Sequence, residues 1–331
     1  MQLNERDIIK KQYILLDWNI IKYAKNPRND TDEEFKRLME IIRKRYEFPF
    51  CEAHLRDLAR SYSEANKDKV HEDLCFLQQL SHNVAIGLDE NDGFNLVKYS
   101  SSDLFEEIIN ESKANPNITA EMNPQSIYRV DMQELDVDHP LRTMLEKTNG
   151  VVGPGIMANW LNNLFEPLFN EIEDYKKFRT YLKNLKRDLN NSSQESLIPQ
   201  DLVYMSFLKE HMMPFIDSLE IEDEANLALI WKDNIIKWLQ MKYPDKVPFG
   251  DAITTAYSML DLHPLFREKL KKKKNTLSNI TRDSKMIYYA SSSKYFVTED
   301  KTCWEKTKFI FKAFNLSTEV LNISEFIAKF S

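Results

Sequence analysis

Glycine is scarce in this chain, with six in 331 residues. So few glycines disfavour a turn-rich all-β build, and the abundance of Leu, Ile, Lys, Glu and Asn favours a helix-rich one. Cysteine is scarcer still: Cys51, Cys75 and Cys303 are odd in number and widely spaced, which argues against a disulfide framework and fits a reducing compartment. No window approaches the roughly 18 apolar residues of a membrane helix. The first residues, MQLNERDIIKKQ, hold no apolar signal region. The expected location is therefore cytoplasmic, with no membrane partner. Positive charge is not in excess either. At a net charge of −7 the chain as a whole does not attract polyanions, so any nucleic-acid contact has to come from a local basic patch.

What the chain does have is enough apolar material for a sizeable core: 42% hydrophobic residues, with five Trp and 19 Phe. YILL (13–16) reads as a short buried strand and runs directly into Asp17 and Asn19. NDTDEEFKRLMEIIRKRY follows, where Thr31 and Glu34 have the spacing of a capping box and Phe35, Leu38, Met39 and Ile42 share one helical face. YEFPF (46–50) reads as a second strand and CEAHLRDLARSYSEA as the next helix. Near the other end, TRDSKMIYYASSS reads as helix, KYFVT as strand, KTCWEKTKFIFKAF as helix and STEVLNI as strand. Alternation of this kind implies α/β architecture around a parallel sheet. Between them the pattern changes to weak extended pieces near VAIGLDENDGFNLVKY and then long helical periodicities. The expected organisation is an α/β core in two parts, 1–82 and 276–331, interrupted by a large mainly α-helical insertion over 83–275.

In an open parallel sheet, ligands sit beyond the carboxyl ends of the strands. Asp17 follows the strand YILL, and Asp300 follows YFVT. Asp57 lies on the helix leaving YEFPF, and Asp283 opens the helix that precedes YFVT. Taken singly, each reads equally well as a strand-exit cap or a helix-face acid. Their joint placement at one sheet edge is what a cap does not require. Four carboxylates there repel one another unless divalent cations fill the gap, and hard oxygen donors select Mg²⁺ or Mn²⁺. The natural chemistry of such a group is phosphodiester hydrolysis by a metal-activated water.

These residues resemble the PIN-domain nucleases. LDWNI (16–20) looks like the family's first strand, which ends in Asp with Asn two residues on. In FCEAHLRDLAR, Asp57 matches the second acid better than Glu52 does, with Cys51 where the family usually has Ser or Thr. DSKMIYYASSSKYFVTED, from Asp283 to Asp300, is similar to the helix and strand closing in Thr-x-Asp that carry the third and fourth acids. The resemblance covers about residues 1–82 and 276–331; ordinary PIN domains are far shorter between the second and third acids. It implies a PIN-like three-layer fold in which Asp17, Asp57, Asp283 and Asp300 bind Mg²⁺ or Mn²⁺, and Asn19 and Thr298 orient water or a ligating carboxylate. Glu52 and Glu299 are expected to be solvated neighbours.

The expected function is a metal-dependent single-strand endoribonuclease, and the resemblance implies a toxin or phage-defence role. The lysine run KLKKKKN, with Lys269, Lys271, Lys272, Lys273 and Lys274, would guide the RNA backbone; its plainer reading is a solvated helix end. A regulatory protein on the insertion and a second copy of the chain are the partners left open. The alternative is a non-catalytic adaptor whose helical insertion binds a partner. A DNA-cleaving relative of the structure-specific 5′ nucleases would need further acids. Cys51-x-x-His54 and His71-x-x-x-Cys75 have zinc-like spacing, but Cys75 reads as core-facing. GVVGPG (150–155) lacks the Lys-Ser/Thr of a phosphate loop. Asp251 reads as a helix start, and His263, before Pro264, as a turn residue.

Overall fold

The computed structural model describes residues 8–9, 11–88, 93–114, 213–240, 245–266 and 277–331, together with 128–129, 142, 151–152, 184, 186–187, 209–211 and 243. The chain divides into two compact units. One gathers residues 1–119, 248–260 and 280–331; the other holds 120–247 and 261–279. Residues 84–114 and 248–260, which the sequence pattern assigns to the insertion, thus belong with the α/β unit.

That first unit begins with β1 (Ile8–Ile9) and β2 (Ile14–Leu16), followed by α1 (Trp18–Lys25), α2 (Asp30–Ile42), α3 (Glu52–Ser61) and α4 (Lys67–Ser81). The extended pieces expected after residue 83 form an antiparallel hairpin of β3 (Val84–Leu88) and β4 (Phe94–Lys98), leading into α5 (Ser101–Ala114). In the second unit, β5 (Tyr128–Arg129) pairs with β6 (Val151–Val152), and α6 (Met213–Ser218) packs on α7 (Glu224–Gln240) through Phe215 and Trp231, 5.8 Å apart. The first unit resumes with α8 (Phe249–Met259). It is completed by α9 (Leu277–Ala290), whose residues from Ile280 on belong to it, then β7 (Tyr295–Val297), α10 (Lys301–Ala313), β8 (Glu319–Leu321) and α11 (Ile323–Phe330).

Strands β2, β7 and β8 form a three-stranded parallel sheet with β7 in the middle, and a second sheet has the order β1-β4-β3. Residues 46–50 join the two through single parallel bridges, Tyr13 to Glu47 and Phe50 to Ala85. Pro49 lacks an amide hydrogen, so this segment makes isolated bridges where the sequence pattern predicts a continuous strand. The parallel sheet is buried on both faces. Ile14, Leu16, Tyr295, Val297 and Leu321 enter one core with Phe35, Leu38 and Phe326, whereas the alternating Leu15, Phe296 and Val320 are buried on the other side.

Helix α2 starts at Asp30 because Asn29, not Thr31, is its cap: the Asn29 side chain accepts from the Asp32 amide at 3.0 Å. The capping box expected at Thr31 and Glu34 is therefore two residues out of place. Asp32 is buried against Arg28, whose Nε donates to it at 2.7 Å, and Glu34 pairs with Arg37. Helix α4 turns Val70, Leu74, Leu77 and Leu80 inward, which leaves Cys75 exposed, contrary to its core-facing appearance in the sequence.

Candidate metal centre

Neighbouring parallel strands β2 and β7 end side by side, so their exits abut. The Asp17 amide donates to the Val297 carbonyl at 2.9 Å. Residue 298 follows as a buried threonine whose Oγ1 donates to Asp17 Oδ2 at 2.8 Å and accepts from the Asp300 amide at 3.2 Å. One hydroxyl thus fixes the first acid to the backbone of the fourth. From β2 the chain leaves toward residues 46–50 on one side, and β7 pairs on the other. That reversal makes the β2 exit the place where a ligand crevice opens in a sheet of this kind.

Both acids stand at helix N-termini but use them differently. Asp300 Oδ1 caps α10 by accepting from the Cys303 amide at 2.9 Å. Asp17 occupies the N-cap position of α1 without a side-chain cap bond, so its carboxylate is aimed at the β7 exit instead. Burial raises its pKa to about 6; the Thr298 hydrogen bond opposes this, and the charges of Asp57 and Asp300 push it up further. A second probe of the same region is the buried Cys303 thiol. Its pKa is raised well above the usual value by burial, and next by the charges of Asp17, Asp283 and Asp300. All four predicted acids therefore act on one neighbourhood. Among the described residues, however, no three His, Cys, Asp or Glu side chains come close enough together to hold a metal ion.

Two residues that matter here have a spacing that also suits zinc. Cys51 and His54 are the N-cap and third residue of α3, not a zinc pair. His54 Nδ1 accepts from the Cys51 amide at 3.1 Å, and Nε2–H donates to the Leu16 carbonyl at 2.8 Å. This fixes the tautomer and ties the helix carrying Asp57 to the last residue of β2, beside Asp17. Full burial lowers the His54 pKa to about 4 and pushes the Cys51 thiol up to about 12. Neither is poised for acid–base work. The signal available in the sequence is the N-cap to N3 spacing, which is also that of a capping box.

Asn19 is exposed on the first turn of α1. Glu52 pairs with Arg56 and accepts from the Tyr289 hydroxyl at 3.4 Å. Glu299 Oε1 accepts from the Ile323 amide at 2.7 Å and so caps α11. His71 and the exposed Cys75 lie 3.7 Å apart as a pair. Asp251 lies in the first turn of α8. His263 is buried, bonded to the Ser218 carbonyl at 3.1 Å, and braces the second unit. Lys269 and Lys271 to Lys274 lie outside the described residues.

No family model, curated protein or solved structure matches the chain.

Proposed function

We propose that the first unit is a PIN-like metal-dependent nuclease, a single-strand endoribonuclease that hydrolyses phosphodiester bonds. The observation that carries this reading is the frustration of Asp17: a half-buried carboxylate, oriented by Thr298, whose ionisation is opposed by partial burial and by Asp57 and Asp300. A cation would relieve that frustration. The donor set is carboxylate oxygen throughout, which fits Mg²⁺ or Mn²⁺. Asp17, Asp57, Asp283 and Asp300 would hold the ion, directly or through water, and Thr298 would keep Asp17 aimed at it. When bound, the ion would supply an activated water and stabilise the leaving oxygen. The preference for RNA, the water-orienting role of Asn19 and the toxin or phage-defence setting rest on the resemblance to PIN nucleases. The basic run from Lys269 to Lys274 would guide the phosphate backbone.

A non-catalytic adaptor is the second reading. It is favoured by the lack of a close three-residue group among the described acids and by Leu229 and Ile230, which stand exposed on α7 of the second unit, Leu229 at 78%. Labelled single-stranded RNA and DNA incubated with Mn²⁺, Mg²⁺ or EDTA separate the two. The nuclease reading expects cutting that needs metal and disappears in Asp17→Asn and Asp300→Asn. Cutting that survives EDTA or both substitutions would sink it, and intact substrate under every condition favours the adaptor.

A further inference from the structure

Helix α1 turns Trp18, Ile20, Ile21 and Ala24 into the core and leaves Asn19 and Lys22 exposed, with Tyr23 half-buried beside them. It carries no acidic residue. Lys25 bonds Asp73 on α4 at 2.7 Å and so belongs to another side of the helix. Asn19 and Tyr23, four residues apart, share a face that starts beside Asp17 and leads away from it. Over the Tyr23 ring, 3.2 Å from its centre, stands the guanidinium of Arg28. That group is built into place. Asp32, 1% exposed, accepts from Arg28 Nε at 2.7 Å and from Nη2 at 3.0 Å, and also from the Arg28 amide at 2.9 Å. Nη1 lies outside this grip, and 46% of the side chain stays exposed. The plainer reading is that Asp32 and Arg28 close the turn between α1 and α2. The amide bond already does so, however, and a turn does not require a guanidinium stacked on a ring with one edge turned outward. That is the form in which arginine holds phosphate. Its place fits as well. Tyr23 stands six residues from Asp17, about 9 Å along the helix. The Arg28 pKa is raised first by the Asp32 hydrogen bond and, among weaker influences, by the charge of Glu299, the neighbour of Asp300.

We infer that the exposed face of α1, from Asn19 through Lys22 to the guanidinium of Arg28, is a track for the backbone of a single-stranded polynucleotide, with Lys22 and Arg28 each holding a phosphate. Two cations on a helix face with no acid of its own complement such a chain, and they form the local basic patch that a protein of net charge −7 needs for this partner. Contacts of this kind position the strand and read no sequence. That the strand leads to a cutting centre at Asp17 rests on the nuclease reading, whereas the track is tested without cleavage.

The test is fluorescence anisotropy of a short labelled single strand, RNA and DNA in parallel, with the full chain in EDTA. Lys22→Ala and Arg28→Ala are each expected to weaken binding about fivefold, the scale of one exposed charge contact. The double variant is expected to flatten the dependence of log affinity on log salt by about 1.4, two contacts at roughly 0.7 each. Arg28→Lys keeps the charge without the fork and is expected to fall between Arg28→Ala and the parent. Arg37→Ala removes another exposed guanidinium, paired with Glu34 on α2, and is expected to bind like the parent. Unchanged affinity and salt dependence in Lys22→Ala overturn the track, and so does equal weakening in Arg37→Ala. Should Arg28→Ala not fold, as its unfolding midpoint shows, Lys22→Ala and Arg28→Lys decide by themselves. A parent that binds neither strand overturns the track. The nuclease reading is judged apart, by adding Mn²⁺ to the same parent. A strand held through Lys22 and Arg28 but left intact supports the track and counts against the nuclease. A strand cut by the parent and both alanine variants with one salt dependence keeps the nuclease and overturns the track.

Discussion

The Thr298 hydroxyl donates to Asp17 Oδ2 at 2.8 Å, joining residues 281 positions apart in the sequence. That bond favours the ionised carboxylate. Thr298→Val, nearly the same in shape, is expected to lower stability by about 1 kcal/mol and to weaken Mn²⁺ binding, with Thr298→Ser restoring most of both. Denaturant midpoints and a metal titration check this.

Asp17 itself is held at a cost. Its folded pKa of about 6 lies above the ordinary 3.8, so folding favours its protonated form, and the stability this brings is present below 3.8 and lost as pH rises through 6. Asp17→Asn is therefore expected to be more stable than the parent at pH 7 in EDTA, by up to about 3 kcal/mol from a shift of two pKa units. If the nuclease reading holds, Mn²⁺ should stabilise the parent and not this variant. A variant less stable in EDTA would show that burial is not what dominates at this carboxylate.

His54 works in the opposite sense. Its folded pKa of about 4 lies below the ordinary 6.5, so its contribution is present above 6.5 and lost as pH falls toward 4. Between pH 6 and 4 the two groups nearly cancel. Removing either should expose the other: stability of Asp17→Asn should fall on acidification across this range, and that of His54→Gln should rise. Thermal unfolding at half-unit pH steps measures both slopes, and parallel slopes in the two variants would contradict the assignment.

Glu299 and Asp300 are adjacent carboxylates with different tasks. Since Glu299 caps α11 through the Ile323 amide, Glu299→Ala is expected to cost about 1 kcal/mol, the usual scale of a lost cap. On the nuclease reading, metal-dependent cleavage should be unaltered once this variant is folded. Asp300→Asn should abolish cleavage at a smaller cost in stability. Equal losses of cleavage in both would place Glu299 in the site.

The three thiols should separate by reactivity. Cys75 is exposed, whereas Cys51 and Cys303 are buried with thiol pKa values raised by burial. One equivalent of a thiol reagent should react quickly with native protein, at Cys75, and two more only on unfolding.

Much of the α/β unit is legible in local sequence because its signals are local. YILL and YFV are short apolar runs closed by polar residues, and they become β2 and β7, paired in parallel. The edge on which Asp17 and Asp300 stand follows from strand direction alone. Other features depend on contacts that no local window contains. The Cys51-x-x-His54 spacing suits a zinc pair and a capping box equally, and only the Leu16 carbonyl, supplied by another strand, decides between them. Thr31 and Glu34 imitate a cap that Asn29 provides. Lys306 is one of four lysines in KTCWEKTKFIFKAF. Its burial involves Tyr257, from a helix that the sequence pattern places in the insertion.

The parallel pairing of β2 with β7 also sets an order of events. Residues 14–16 emerge long before their neighbours at 295–297, and the Thr298 amide is in turn held by the Leu321 carbonyl. Closing so long a loop comes late in folding. The four acids therefore cannot come together until residue 300 has been made, and if the protein cuts RNA, the message being translated is spared until then.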